Sequence, residues 1–506
     1  MRTVTSLPHR VREIEPLWIP LPDGERLAAR AWLPEDAGDH PVPALLEYIP
    51  YRHRDLTRVR DSVNHPWLAG HGYACVRVDL RGSGDSSGVL RDQYLEQEQA
   101  DGVEAIRWLA AQPWCTGKVG MFGISWGGFN ALQIAARRPP ALRAVVAACA
   151  TDDLYADNMH YMGGCLLADN LSEATTMFAF NSCPPDPATA GPAWRETWRE
   201  RLEHSGLWLD IWLRHQRRDD FWKRGSVCED YAAIACPVMA VSGWADGYTN
   251  AVFRLLEHLE VPRRGLIGPW GHKYPHMGIP GPPIGFLQEM RRWFDRWLKD
   301  EETGVEAEPV LRVWMQDSVP PTTRVTHRPG RWVTEPCWPS PRLETRRLAL
   351  SPGRVHVEGA PGNPAASDEA QRIQSPLSVG LFAGKWCSYA AAPDLPHDQR
   401  QEDGGSLVFD SASLARPLEL LGAPVAELEL AANRPVAQVV ARLSDLRPDG
   451  KATRVTFGLL NLTHRASHEE PRPLEPGRRV RVRVALNHVA QVFPAGHRLR
   501  LALSTS

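Results

Sequence analysis

Ser125 stands at the centre of Gly123-Ile124-Ser125-Trp126-Gly127, a G-x-S-x-G stretch with an apolar run before it and a helical pattern after it. In that setting the motif is a nucleophile elbow, with the serine on a sharp turn between strand and helix. The flanking glycines let neighbouring backbone pass where a Cβ would collide. The hydroxyl is held beside the positive N-terminus of the helix. A serine hydroxyl attacks a carbonyl only when a base takes its proton, and the base needs a third group to fix its tautomer. On such a sheet the order along the chain is serine, acid, histidine. "PVMAVSGWADG" places Asp246 just past one strand, and "LIGPWGHK" places His272 just past the next. Ser125, Asp246 and His272 therefore come in the required order, each at a strand's C-terminal end. Asp152 and Asp153, after "LRAVVAAC", are rival acids. His276 lies four residues beyond His272, but Pro275 argues against a helical metal pair.

Acyl transfer also needs donors aimed at the developing oxyanion. The elbow supplies one, the backbone N–H of Trp126. A second should come from the loop after "VPALLEYIP", which reads Tyr51-Arg52-His53-Arg54 and lacks a glycine run. From the residues alone, the Tyr51 hydroxyl and a merely packed aromatic are equally good readings. "DLRGSGDSSG" (79–88) misses the G-x-G-x-x-G spacing by one residue and carries Asp85, so it reads as a tight structural loop, not a phosphate cradle.

The elements that must position these residues follow from periodicity. Residues 14–34 read as a hairpin around Asp23-Gly24. Strands are expected at 42–50, 73–80, 118–125, 142–149, within 236–246 and within 264–272. Helices are expected at about 97–112, from 126, near 249–260 and at 284–300. Strands alternating with helices give a mostly parallel sheet covered on both faces, an α/β domain over 1–150 and 230–305. Residues 151–229 break that rhythm and read as helices and loops without a strand, a cap inserted over the site. From about 306 the period changes to two, with Pro- and Gly-rich turns between strands. That predicts an all-β C-terminal domain, a sandwich or jelly roll, over 306–506. "GAPGNPAASDEA" (359–370) reads as a polar surface loop. The chain stops inside an alternating strand, which reads as a shortened jelly roll.

Composition sets the class. The 506 residues are 43% apolar and 23% charged with a formal net charge of −2, which gives no reason to expect nucleic acid or a membrane as partner. Nine scattered cysteines without a C-x-x-C pair fit reduced thiols in a cytoplasm. No signal peptide and no membrane span is read. Of the 19 tryptophans, Trp126 and Trp244 would flank the serine and line a substrate pocket.

The stretches "PYRHRD", "RVDLRGSGDSSG", "GISWGGF", "RDDFW", "CPVMAVSGWADGYTN", "GPWGHK", "SLVFDS" and "FPAGHRLRLALSTS" together resemble the CocE/NonD hydrolases. That family includes cocaine esterase, X-prolyl dipeptidyl aminopeptidases and α-amino-acid ester hydrolases. The resemblance spans nearly the whole chain. It implies an α/β-hydrolase domain, a helical cap and a C-terminal jelly roll, with Ser125, Asp246 and His272 as triad. It also gives the tyrosine of "PYRHRD", Tyr51, the role of oxyanion donor beside the Trp126 N–H. Many members carry Tyr where Trp126 stands, and the acidic cluster that holds an ammonium group has no counterpart in the sequence.

The expected activity is hydrolysis of a small-molecule ester or amide, or of a short peptide, through an acyl-enzyme, with no metal or cofactor. Activity should fall in acid as His272 becomes protonated. A homo-oligomer is compatible with the sequence. One alternative is an X-Pro dipeptidyl-peptidase, which needs a carboxylate for the free amine, with Asp152, Asp153, Asp157 or Asp169 as candidates. Another is a non-catalytic jelly-roll binding scaffold.

Overall fold

Long apolar runs in the first half of the chain can be buried on both faces only in a parallel sheet with helices on either side. The computed structural model, described over residues 6–357, 370–390 and 393–506, has that architecture. Strands β1 (Val11–Pro20) and β2 (Arg26–Pro34) form the expected antiparallel hairpin. β3 (Val42–Ile49), helix α1 (Arg58–Ala69), β4 (Ala74–Asp79), helix α2 (Glu96–Ala110), β5 (Cys115–Ile124), helix α3 (Trp126–Ala136) and β6 (Leu142–Ala148) follow. Strands Val238–Gly243 and Arg263–Gly268 and helices Thr249–His258 and Phe286–Leu298 complete the α/β part. The strand order is β1-β2-β4-β3-β5-β6, then Val238–Gly243 and Arg263–Gly268. From β4 onward the pairing in that order is parallel. Helix α3 is buried from Trp126 through Ala135, at the centre of the core. Helix α1 was not expected, because Pro66 and three charged residues in "RVRDSVNHPWLA" mask its pattern.

The sheet does not end at residue 305. Leu311–Gln316 pairs parallel with Arg263–Gly268, and Gly330–Glu335, Val489–Phe493 and Leu418–Gly422 extend it further. Their alternating sequences predict strands but carry no information about which sheet receives them. The remaining C-terminal strands form a six-stranded sheet running from Leu348–Ser351 to Ala452–Asn461 and a two-stranded ribbon, Val425–Leu430 with Val480–Ala485. They share a second apolar core that includes Phe409, Val439, Ala441, Val482 and Val484. Residues 358–369, and so nearly all of the predicted polar loop, lie outside the described residues.

The segment after β6 is mainly helical, with helix α4 (Asp169–Asn181) and a further helix at Trp194–His204. Contrary to the expectation of no strand, it also holds a short hairpin, β7 (Tyr161–Met162) with β8 (Cys165–Leu166). Two residues per strand are too few to show a period of two. The hairpin docks on the C-terminal domain, where the Asn461 N–H donates to the Gly163 carbonyl at 2.8 Å. Arg201, buried on the Trp194–His204 helix, donates to the carbonyls of Gly84 and Ser86 and so ties the cap to the loop after β4. A side chain at Gly163 would put a Cβ 1.7 Å from the Leu459 carbonyl, and its φ of +56° already suits glycine. Gly163→Ala should therefore lower stability by about 1–3 kcal/mol, read as a drop in Tm.

Candidate active site

Ser125 joins β5 to α3 with φ 57° and ψ −127°, a conformation L-residues adopt at a cost. It is over-determined by its surroundings. The Ser125 N–H donates to the Ala148 carbonyl at 2.9 Å, and the Ser125 carbonyl accepts from the Gly128 and Phe129 N–H groups at 2.8 and 3.0 Å. The glycines are needed for contact. A Cβ on Gly123 would lie 2.4 Å from the Gly127 carbonyl carbon, and one on Gly127 would meet Ile49 at 2.7 Å. A Cβ on Gly128 would strike the Ala148 carbonyl oxygen at 2.8 Å. The turn thus packs a helix N-terminus directly on two strands, and Ser125 stays partly open to solvent.

Asp246 and His272 follow two adjacent strands whose ends are in register, Gly243 opposite Gly268. His272 Nδ1 and Asp246 Oδ1 are 2.9 Å apart, and the Ser242 hydroxyl donates to Asp246 Oδ2 at 2.7 Å. Burial alone would raise the Asp246 carboxyl, but the charge and hydrogen bond of His272 outweigh it and hold the group below the ordinary aspartate value. With Nδ1 engaged, Nε2 is the nitrogen left to serve as a base. A C-terminal-domain loop completes this pair. The His272 N–H donates to the Ser388 carbonyl at 2.6 Å, the Ser388 N–H donates to the Ala245 carbonyl at 3.0 Å, and Cys387 Sγ lies 3.3 Å from Asp246 Oδ1. Burial pushes the Cys387 and Cys149 thiols, both beside Asp246, well above their usual range, so they are not thiolates.

The Tyr51 hydroxyl interacts with the Ser125 side chain, and burial raises it well above the ordinary tyrosine value. Its ring packs edge-on against Trp126 and Phe180, with centroids 6.2 and 6.3 Å apart. The Trp126 N–H lies in the first turn of α3, where a backbone donor lacks an intrahelical acceptor. Ser125, Tyr51 and the Trp126 backbone are therefore neighbours.

The two predicted pocket tryptophans are placed differently from expectation. Trp126 is 1% exposed, its indole N–H donates to Glu98 Oε1 at 2.5 Å, and its buried ring backs Tyr51. Trp244 turns to the seam with the C-terminal domain. Its indole N–H donates to the Trp314 carbonyl at 2.6 Å and its ring stacks on Phe253. Proximity in sequence to a triad residue says nothing about the side of the strand to which the next side chain points.

The rival acids are occupied. Asp152 pairs with Arg254 at 2.6 Å, Asp157 with Arg254 at 2.7 Å and Asp153 with Arg218 at 3.0 Å. His276 Nε2 is 2.9 Å from Asn64 Oδ1. Asp169, in the first turn of α4, is pushed up by burial. Two side chains that sequence reading missed also belong to this region. Glu98 accepts from the Trp126 indole and from the Tyr94 N–H at 2.7 Å, and burial raises its carboxyl to about 7. Glu173, on α4, faces Tyr51 and His272, and burial raises it to about 7 as well. In "LEQEQADG" and "LSEATT" both look like solvated helix carboxylates, and no local pattern marks them.

Among the described residues, two groups of acids and bases lie close enough to suggest a metal, Cys149-Asp246-His272 and Glu47-Asp61-His65. In the first, Nδ1 of His272 is engaged by the carboxylate and the thiol is protonated. In the second, the Arg60 guanidinium donates to both Glu47 and Asp61, at 2.8 and 2.9 Å, and so fills the place of a cation.

Comparison with known proteins agrees with this architecture. Residues 23–274 match the X-Pro dipeptidyl-peptidase (S15) family, and residues 303–506 match the X-Pro dipeptidyl-peptidase C-terminal non-catalytic domain. The chain is 25% identical to a cocaine esterase of a Rhodococcus species, over 96% of this chain and 90% of that one. It is 22% identical to a putative Xaa-Pro dipeptidyl-peptidase of Streptomyces avermitilis, over 87% of this chain and 68% of that one. Among solved structures, a CocE/NonD family hydrolase from Staphylococcus aureus superposes with a TM-score of 0.74 at 18% identity, covering 98% of this chain and 85% of that one. An α-amino acid ester hydrolase superposes with a TM-score of 0.72 at 20% identity, covering 100% and 90%.

Glu98 gives a stability test. Its carboxyl is raised from 4.5 to about 7 on folding, so the folded state holds a proton that the unfolded state has released. Stability should then fall as pH rises from about 4.5 through 7, by up to about 3 kcal/mol. Chemical denaturation at pH 5 and pH 8.5 should show this loss in the wild type and a smaller one in Glu98→Gln.

Proposed function

The chain belongs to the X-Pro dipeptidyl-peptidase (S15) family of serine hydrolases, and on that premise we propose that it cleaves a small carboxylic ester or amide with Ser125 as nucleophile. The observation that carries this reading is the buried His272–Asp246 pair, 2.9 Å apart, at the rim where the strained Ser125 turn also emerges. Nε2 of His272 takes the Ser125 proton as the hydroxyl attacks the carbonyl. Asp246 fixes the tautomer and stabilises the imidazolium that forms. The Tyr51 hydroxyl and the Trp126 N–H donate to the tetrahedral oxyanion. The imidazolium then protonates the leaving group, and water attacks the acyl-enzyme with His272 again as base.

Esterase or acylase action is favoured over removal of an N-terminal dipeptide because three of the four candidate amine-holding acids, Asp152, Asp153 and Asp157, are engaged by arginines, and burial pushes the fourth, Asp169, toward its neutral form. The nine cysteines, all free thiols, support a reducing, cytoplasmic setting. No helix among the described residues is long and apolar enough to cross a membrane.

A p-nitrophenyl ester should be turned over readily and Gly-Pro-p-nitroanilide slowly or not at all, with the reverse ranking favouring the peptidase. Ser125→Ala should abolish activity, and Asp246→Asn should lower kcat on the order of 10⁴-fold. Tyr51→Phe should cost about 10²–10³ in rate, the usual loss for one oxyanion donor.

A further inference from the structure

Helix α4 has a buried face and an adjoining one that meets Tyr51. Asn170, Ala174, Met177 and Asn181 recur at three and four residues and are buried. Glu173, Met177 and Phe180, also three and four apart, share a face, and Phe180 packs on the Tyr51 ring. Glu173 therefore reaches the Tyr51 hydroxyl from the cap side, while Ser125 meets it from the elbow side. A phenol has one proton and cannot donate it to both. We propose that Glu173 is a positioning residue of the reaction, acting through Tyr51: it decides whether the phenolic proton points to the oxyanion beside Ser125 or back to the cap. This rests on the reading of Tyr51 as an oxyanion donor.

The chemistry has two states. As a neutral acid, Glu173 donates its own O–H to the phenolic oxygen. The Tyr51 proton is then free for the oxyanion, and the donated bond makes that O–H a stronger donor. As a carboxylate, Glu173 is the stronger acceptor and draws the Tyr51 proton away, leaving the oxyanion with the Trp126 N–H alone. Burial places the changeover at about pH 7. The groups that face Glu173 come from several elements. Tyr51 and Tyr94 approach from the loops after β3 and β4, His272 from the loop after Arg263–Gly268, Tyr389 from the C-terminal domain and Asp169 from its own helix. Of these His272 favours the ionised form, and Asp169 the neutral one. The rate should decline above neutrality as Glu173 loses its proton.

The test is the pH dependence of kcat/KM for a neutral p-nitrophenyl ester between pH 5 and 9. The wild type should show an alkaline decline that Glu173→Gln lacks, because the amide N–H donates to the phenol at every pH. Glu173→Met fills the volume without a donor, and should slow the reaction throughout and also lack the decline. In a Tyr51→Phe background, Glu173→Gln should leave the shape of the profile unaltered. A Glu173→Gln profile superimposable on the wild type, or a change that persists without the Tyr51 hydroxyl, overturns the proposal while the Tyr51 reading stands. A Tyr51→Phe enzyme as fast as the wild type overturns the oxyanion reading itself, and this inference with it. An alkaline limb that vanishes in Glu98→Gln and not in Glu173→Gln assigns the ionisation to Glu98 and also overturns it. So does a loss confined to KM for amine-bearing esters, which makes Glu173 a substrate-binding carboxylate.

Discussion

The Asp246–His272 hydrogen bond is the constraint around which the molecule is arranged. A carboxylate taken out of water is costly unless charge and hydrogen bonds compensate it. Here compensation comes from His272, the Ser242 hydroxyl and the Cys387 thiol. Two of these belong to the α/β domain and one to the C-terminal domain. The same C-terminal loop accepts the His272 N–H through Ser388 and returns its own N–H to Ala245. The second domain is thus built into the Asp246–His272 pair, the proposed acid and base. It also shares the main sheet, since Leu311–Gln316 pairs with Arg263–Gly268, the strand that leads to His272. Removing the C-terminal domain would unpair an edge of that sheet and uncover Asp246 and His272 together.

The cap closes the opposite side. Its hairpin seats on the C-terminal domain through Gly163 and Asn461, Arg201 holds the loop after β4, and α4 lies over Tyr51. A floor, a back wall and a roof, each from a different part of the chain, meet around one serine. Such a site has few rigid-body freedoms left, which suits a reaction whose rate depends on donors fixed before charge develops. The environment around Ser125, Asp246 and His272 also perturbs their neighbours, so that burial raises both Glu98 and Glu173 to about 7.

What the sequence revealed follows the range of the forces involved. The α/β strands were legible because a parallel strand is apolar on both faces and must sit between helices. Ser125, Asp246 and His272 were legible because each sits at the end of such a strand, where the backbone fixes the position and only the residue type needs reading. Tyr51 needed the family resemblance, because nothing local separates a donor hydroxyl from a packed ring. Trp244 went astray because its side chain is claimed by Trp314 and Phe253, which are distant in sequence. Glu98 and Glu173 were missed for a related reason. Both ride on helices with ordinary polar neighbours, and their burial arises only when other segments pack over them. The receiving sheet of Leu311–Gln316 was equally hidden, because a period of two specifies a strand and not its partner.

The central claim is that Ser125, His272, Tyr51 and the Trp126 N–H surround one reacting carbon. A crystal structure of the protein after reaction with a fluorophosphonate tests it most directly, because the phosphonate mimics the tetrahedral intermediate. The account predicts phosphorus bonded to Ser125 Oγ, with its oxygen within hydrogen-bond distance of the Tyr51 hydroxyl and the Trp126 N–H, and with His272 Nε2 beside Oγ. Phosphorus on another residue, or on Ser125 with its oxygen turned away from both donors, would contradict it.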